Sequence, residues 1–259
     1  MCTVSWTRQD GDYRLYCNRD EKHTRRIALP PAVRERRGVR FIAPLDGDCG
    51  GTWIGVNQFG LSLCLINRYQ DEPVPADELV PAVEEANYLS RGLLLFELID
   101  CRTRSQTQSR IGQIDLTRFR PFTLLILEPE QPSLLTHWTG RERLSEPDGE
   151  SAMPLISSSR DLAGVSFSRR RRFNSLLMES EKVDDDLLDK FHHSHFPAAS
   201  AYSTCMHRDD ARTVSFSKVN VSRDSIEFFY HADSPCVGPQ PNKRFEVVMA
   251  REREMRLPA

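Results

Sequence analysis

The 259-residue sequence contains no long hydrophobic run. Its most apolar stretches, residues 92–96 and 122–127, fall far short of the roughly 20 residues a helix needs to cross a bilayer. No integral membrane segment is therefore expected. An excess of one charge is also missing: Lys plus Arg number 35 against 37 Asp plus Glu, a formal net charge of −2. That balance lacks the basic footprint of a nucleic-acid binder, and no nucleic acid is expected as a partner. The seven cysteines (Cys2, Cys17, Cys49, Cys64, Cys101, Cys205 and Cys236) include no C-x-x-C pair. An odd, scattered set argues against a disulfide framework and against a cysteine-rich zinc module, so a reducing, cytoplasmic setting is the expectation. Residues 1–6 run straight into the polar stretch 7–12, without the apolar core of a secretory leader. There is no internal repeat and no G-x-G-x-x-G fingerprint, and Gly50-Gly51 leads into a strand rather than a helix.

What the chain does carry is core-forming surface, with 39% hydrophobic residues and 13 Phe, 6 Tyr and 3 Trp, far from a disordered composition. Residues 2–7 and 13–18 predict a β-hairpin closed by a type I′ turn at Asp10-Gly11. A two-residue turn there pairs Gln9 with Asp12 and carries the register back to Cys2 opposite Arg19. One face then collects Trp6 with Leu15, Val4 with Cys17 and Cys2 with Arg19. The other collects Thr7 with Arg14, Ser5 with Tyr16 and Thr3 with Asn18. A slip of one residue would scramble that segregation.

Residues 23–40, basic and broken by Pro30-Pro31, predict a surface loop. Strands are predicted over 39–43, 52–56 and 61–67, the last two joined by 57–60. That hairpin sets Gly50 and Gly51 opposite Asn67 and Ile66, where glycine permits another backbone to come close. A helix is predicted over 81–100, with Glu84 and Glu85 in its first turns and Leu89, Leu93, Leu94 and Phe96 as its apolar stripe. Strands 122–127 and 134–139, helices 169–181 and 184–193, and strands 213–219, 225–230 and 244–250 complete the pattern. Many antiparallel hairpins with interposed helices point to an α+β sandwich, one domain over residues 1–250 with a loose charged tail at 251–259.

Cys2 is the most informative residue. Removal of Met1 would leave an α-amine, with a pKa near 7.7–8.0, and a thiol, near 8.5, on one residue. That is a nucleophile carrying its own base. Arg19, its cross-strand partner, is expected to lower the thiol pKa. The competing readings are that Met1 is retained or that Cys2 merely packs at the start of a strand.

Metal ligation has two weak candidates. Only two of His192, His193 and His195 can share a helix face, and Cys205 and His207 lie on a stretch where neighbours alternate. Neither builds a site, so no metal and no cofactor is expected. Arg169, Arg170, Arg171 and Arg172 read either as an anionic-surface contact or as a solvated helix face.

Cys2, Asn18-Arg19-Asp20-Glu21, the run from Gly50-Gly51-Thr52-Trp53 to Asn57, and Leu65-Ile66-Asn67-Arg68 together resemble the NRDE family, also called the transport and Golgi organisation protein 2 family. The match is specific in order and spacing over about residues 1–70 and weaker beyond. The resemblance implies an N-terminal-nucleophile hydrolase-like αββα fold, two mainly antiparallel sheets between helical layers, and kinship with choloylglycine hydrolases. It implies Cys2 as nucleophile, Arg19 and Asp20 as the pair steadying thiolate and α-amine, and Asn67 as oxyanion donor. Arg19 and Asp20 are adjacent here and would face opposite sides of a regular strand. Asn18, Ser158 (where a second asparagine would fall) and Arg208 (nearest the expected late arginine) are secondary candidates. The implied function is a cysteine hydrolase or acyltransferase acting on a small non-peptide amide or thioester. The alternative is a non-catalytic protein handling a lipid-like or haem-like ligand on the same scaffold.

Overall fold

The computed structural model describes residues 2–69, 88–238 and 244–252. The opening hairpin forms as its turn chemistry requires. β1 (Cys2–Gln9) and β2 (Asp12–Lys22) pair from Gln9 with Asp12 to Cys2 with Arg19, and Asp10 and Gly11 both take positive φ, 53° and 85°. Along β1 and β2, Val4, Trp6, Leu15 and Cys17 turn to one side and are fully buried.

Two antiparallel sheets result. The second sheet begins with β3 (Leu29–Arg36), β4 (Val39–Leu45), β5 (Ile54–Asn57) and β6 (Ser62–Asn67). It continues with β7 (Phe122–Leu127), β8 (Leu134–Trp138) and β9 (Arg143–Glu146), in the order β3-β4-β5-β6-β7-β8-β9. The first sheet adds β10 (Leu155–Ser157), β11 (Ala211–Val221), β12 (Ser225–His231) and β13 (Arg244–Ala250) to the hairpin, in the order β10-β1-β2-β11-β12-β13.

Three apolar clusters stack the layers. Val4, Trp6, Leu15 and Cys17 of the first sheet meet Ile42, Ile54, Val56 and Leu125 of the second between the sheets. Helices α1 (Arg91–Leu98) and α2 (Arg104–Ile111) cover the far face of the second sheet, Leu94, Leu95, Leu98 and Ile111 packing on Leu63 and Leu124. Helices α3 (Leu162–Ser180) and α4 (Asp185–His192) cover the far face of the first, with Phe173, Leu188 and Phe191 on Tyr16. The layering is αββα. Among the described residues no helix is long and apolar enough to cross a membrane.

Several local expectations change. Residues 29–36 form a strand rather than a loop: β3 is an edge strand with a register shift between Leu29 and Ala32, the setting that tolerates Pro30 and Pro31. The β5–β6 hairpin is registered one residue from the expected position, Val56 facing Ser62. The helix predicted from 81 starts only at Arg91, behind an extended Ser90, and buries Leu94, Leu95 and Leu98 while Leu93 is exposed. Its predicted first turns, 81–87, lie outside the described residues. The helix predicted from 169 begins seven residues earlier, at Leu162, capped by the Asp161 side chain.

Residues Arg251 and Glu252 are docked rather than loose, the Glu252 N–H donating to Gln58 O at 2.6 Å; 253–259 lie outside the described residues. Helix α2 is too polar to announce itself, burying only Thr107 and Ile111.

The Gly50-Gly51 expectation is answered by α1. A Cβ on Gly51 would stand 2.6 Å from the Gly92 carbonyl carbon, and Thr52 N–H donates to Gly92 O at 3.1 Å. Two facing glycines let the end of the β4–β5 loop lie against the first turn of the helix.

Candidate active site

Strand alternation divides the Asn18-Arg19-Asp20-Glu21 motif into two chemically different pairs. Arg19 and Glu21 turn to the inter-sheet side, where they line a cavity of about 500 Å³. Asn18 and Asp20 turn outward, beneath α3 and α4. Asn18 Nδ2 donates to the carbonyl oxygens of His192 and Thr204, both at 2.9 Å. The fully buried Asp20 carboxylate takes Arg169 at 3.3 Å and the Thr213 hydroxyl at 2.7 Å. The Arg169 guanidinium also donates to Thr3 Oγ1 at 2.5 Å and Ala201 O at 3.2 Å.

Cys2 opens into the same cavity as Arg19, and Asn67, at the end of β6, lines it as well. The bridge between them is β10: Cys2 pairs with Ser157, whose hydroxyl donates to Asn67 O at 2.6 Å. Asn67 Nδ2 donates to the Tyr69 hydroxyl at 3.0 Å, so its amide is already aimed as a donor.

The Arg19 head group is held elsewhere than on the sulfur. It binds Asp46 at 2.5 Å, with both side chains almost fully buried, and lies 4.3 Å from the Trp53 ring centroid. Asp46 in turn accepts the backbone N–H groups of Asp48 and Cys49 and pairs with Arg25, closing the loop over that edge of the cavity. Burial alone would raise the Asp46 pKa, but Arg25, the Cys49 N–H and Arg19 together hold it below the usual carboxylate value.

The expected lowering of the Cys2 pKa does not occur. A hydrogen bond with Cys17 and burial push the thiol well above its ordinary value, with a further upward push from the Asp20 charge. Arg19 is held by Asp46, so forming the thiolate takes a base rather than this cation.

Two cavity cations are invisible to sequence patterning. Arg91, on the first turn of α1, donates to Pro121 O at 2.9 Å; burial lowers its pKa, with Arg120 adding to the effect. Arg120 lies over the Tyr88 ring. With Arg19 and Arg25 they make four lining arginines against Glu21 and Asp46. Neither Arg91 nor Arg120 belongs to a motif; only the close packing of α1 on the glycine loop brings Arg91 there.

Other candidates are not brought to the cavity. Ser158 donates to Arg160 O at 2.5 Å and shapes the turn after β10. Arg208 clamps Asp210 on the surface at 2.6 Å. The four-arginine run does not form a patch. Arg169 is buried on Asp20, Arg170 donates to Ala152 O and Met153 O, and Arg172 donates to the Ser194 hydroxyl. A helical period disperses consecutive residues around the axis, so the run could not stay on one face.

The strand alternation expected around Cys205 and His207 does not occur. Residues 193–210 are not a strand, and His195, Cys205 and His207 converge there with Cys236; none of the four lines the cavity.

The fold and this cavity can be set beside known proteins. Comparison with curated proteins finds no match. Solved structures do match. Penicillin V acylase from Agrobacterium tumefaciens superposes with a TM-score of 0.54 at 9% identity, over 96% of this chain and 86% of that one. The N-acylethanolamine-hydrolyzing acid amidase ortholog of Caenorhabditis elegans gives 0.56 at 11%, over 95% and 100%. A variant of conjugated bile acid hydrolase from Clostridium perfringens gives 0.53 at 10%, over 97% of each. At such identities the likeness is one of fold, that of the N-terminal-nucleophile hydrolases. The family model described as Transport and Golgi organisation 2 matches residues 1–220, and the chain belongs to that family.

Proposed function

We propose that the chain is a cysteine N-terminal-nucleophile hydrolase or acyltransferase acting on a small amide or thioester that carries an anionic group. The observation that carries this reading is the position of Cys2, at the start of β1, in the wall of a 500 Å³ cavity with four arginines. The acylase and amidase neighbours support the reaction class. Residues 1–250 act as one domain in this reading, since both sheets contribute to the cavity, and seven free cysteines support a reducing compartment such as the cytoplasm.

The chemistry starts with loss of Met1. The freed α-amine takes the thiol proton, which the buried, Cys17-bonded sulfur does not release unaided. The sulfur attacks the substrate carbonyl, and Asn67 Nδ2 turns from Tyr69 to the oxyanion, a donor worth about 2.7–4 kcal/mol in the transition state. The leaving amine or thiol takes the proton from the α-ammonium, and water or an acceptor amine then cleaves the acyl-cysteine. Asp20, whose charge already reaches the Cys2 thiol, orients the α-amine. Arg19 shapes the cavity wall through Asp46 rather than activating sulfur. Arg91 and Arg120 receive the anionic group.

A second reading is favoured by the raised thiol pKa: with a protonated Cys2, the same cationic cavity holds a lipid-like or haem-like carboxylate without chemistry. Intact-mass analysis before and after a thiol-reactive probe separates the two. Loss of Met1 with labelling of Cys2 ahead of exposed Cys49 supports the enzyme. Retained Met1, or Cys2 reacting no faster than Cys49, defeats it. Saturable binding of a fatty acid or haem that survives Cys2→Ala then supports the second reading, and its absence rejects that one too.

A further inference from the structure

Two irregular segments meet beside the first sheet. One runs from the end of α4 to the start of β11 and carries His195, Cys205 and His207; the other follows β12 and carries Cys236. Among the described residues, these four form the one group of His, Cys, Asp or Glu side chains whose ligand atoms cluster tightly enough for a metal ion, all within 4.8 Å of one another. His195 Nε2 lies 3.2 Å from His207 Nε2, and that same nitrogen lies 3.5 Å from Cys205 Sγ and 3.4 Å from Cys236 Sγ.

Those separations match three of the six edges of a coordination tetrahedron. With zinc–nitrogen bonds of about 2.05 Å and zinc–sulfur bonds of about 2.3 Å, tetrahedral angles put two nitrogens about 3.3 Å apart and nitrogen and sulfur about 3.6 Å apart. The three observed edges fall within about 0.2 Å of these values. As a hydrogen-bonded cluster the arrangement is poor, because three groups converge on a single imidazole nitrogen that can donate or accept one good bond. As a ligand set it is complete.

We propose that His195, Cys205, His207 and Cys236 form a tetrahedral zinc site. Two thiolates and two neutral imidazoles are the borderline-soft donors that suit zinc and not magnesium or calcium. Binding releases the two thiol protons to solvent, so the ion and its ligands together are electrically neutral. Four protein ligands leave no open position, which makes the site structural.

The backbone holds the ligands in place: Cys205 N–H donates to Ser194 O at 3.0 Å, and His207 N–H to Ser200 O at 3.2 Å. The segment from 193 to 210 is long and irregular, the kind of connection that needs a staple. Its anchorage matters, since Met206 N–H donates to the Thr213 hydroxyl that in turn donates to Asp20. The zinc site would therefore brace the outer half of the Asn18-Arg19-Asp20-Glu21 motif, and it stands whether or not Cys2 is a nucleophile.

The test is metal analysis of the tag-free full-length chain, expressed with zinc and purified without chelator. About one zinc per chain is expected, retained in Cys49→Ser and lost in Cys205→Ser and in Cys236→Ser. Each of those two should weaken affinity by more than the roughly 100-fold that outer-shell changes cost. Cobalt loading of the wild-type protein should give the visible ligand-field bands of a tetrahedral site with a thiolate charge-transfer band. This arm holds even where a cysteine variant fails to fold. Less than about a tenth of an equivalent of zinc after loading, octahedral cobalt spectra, or a Cys205–Cys236 disulfide in freshly isolated protein would overturn the proposal.

Discussion

His192 should make this protein acid-labile by a calculable amount. The imidazole is fully buried against Tyr16, Phe191 and Phe216, with Nδ1 3.0 Å from Asn18 Oδ1 and Nε2 2.8 Å from the Ser5 hydroxyl. Asn18 spends its amide N–H groups on two carbonyls, so Oδ1 is the acceptor, Nδ1 carries the proton and Nε2 accepts from Ser5. Burial, with His193 and Arg169 adding like charge, holds the pKa well below the ordinary histidine value.

The sign follows from proton linkage. Below about pH 6.5 the unfolded chain binds a proton at this position and the folded chain does not, so stability falls as pH falls, by up to about 1.4 kcal/mol per unit. Between about pH 7 and pH 5 the integrated loss is at most about 2 kcal/mol, of which up to about 0.7 kcal/mol is gone by pH 6. Urea unfolding followed by tryptophan fluorescence at these three pH values, on wild type and His192→Gln, reads it directly. The variant should be less stable at pH 7, through its disturbed hydrogen bonds, but should lack that part of the slope. Parallel wild-type and variant curves from pH 7 to pH 5 would show that the imidazole is not buried neutral and refute the reasoning.

Other outcomes follow from the same structure. Asp20→Asn or Arg169→Met leaves the other residue's buried charge without its ion pair and should cost about 3–5 kcal/mol in urea unfolding; the double variant should cost clearly less than the sum. A double variant that is fully additive would mean the pair is not coupled. Gly51→Ala sets a methyl against the Gly92 backbone and should cost about 1–3 kcal/mol. Gly50→Ala meets no atom within 4 Å and should cost only about 1–2 kcal/mol of left-handed strain, so equal large losses at both sites would discount the close approach. Asp46→Asn should lose stability near neutrality by a margin that shrinks as pH drops below about 4, because a carboxylate with a depressed folded pKa stabilises only while ionised. A pH-independent difference would count against the Arg19–Asp46–Arg25 cluster. Arg91→Ala should weaken binding of an anionic acyl ligand more than that of its neutral ester, measured by titration calorimetry.

Local chemistry was enough to specify the register of the opening hairpin, though β2 runs on to Lys22, past the predicted end at 18. Asp10-Gly11 admits one turn type, and period-two segregation of Val4, Trp6, Leu15 and Cys17 rules out a slip. The same alternation, read from sequence, separates Arg19 from Asp20, and the order of motifs over residues 1–70 carries the family and its αββα layering. The paired strands β7 and β8 and the helix α4 were legible for the same reason: each has a strong apolar period or a clear acidic start.

Tertiary packing decided what those side chains do. Arg19 serves Asp46 and Trp53 rather than the thiol, because a loop distant in sequence offered a nearer carboxylate. Arg169, one of four like residues in a row, is buried only because Asp20 waits beneath it. The cluster of His195, Cys205, His207 and Cys236 matches no recognised ligand spacing; three of its ligands lie on the connection from α4 to β11 and the fourth on the loop after β12, which only the folded sheet brings within bonding distance. A strand's period is written in adjacent residues, whereas partners for a charge or a metal are set by which distant segments the fold juxtaposes.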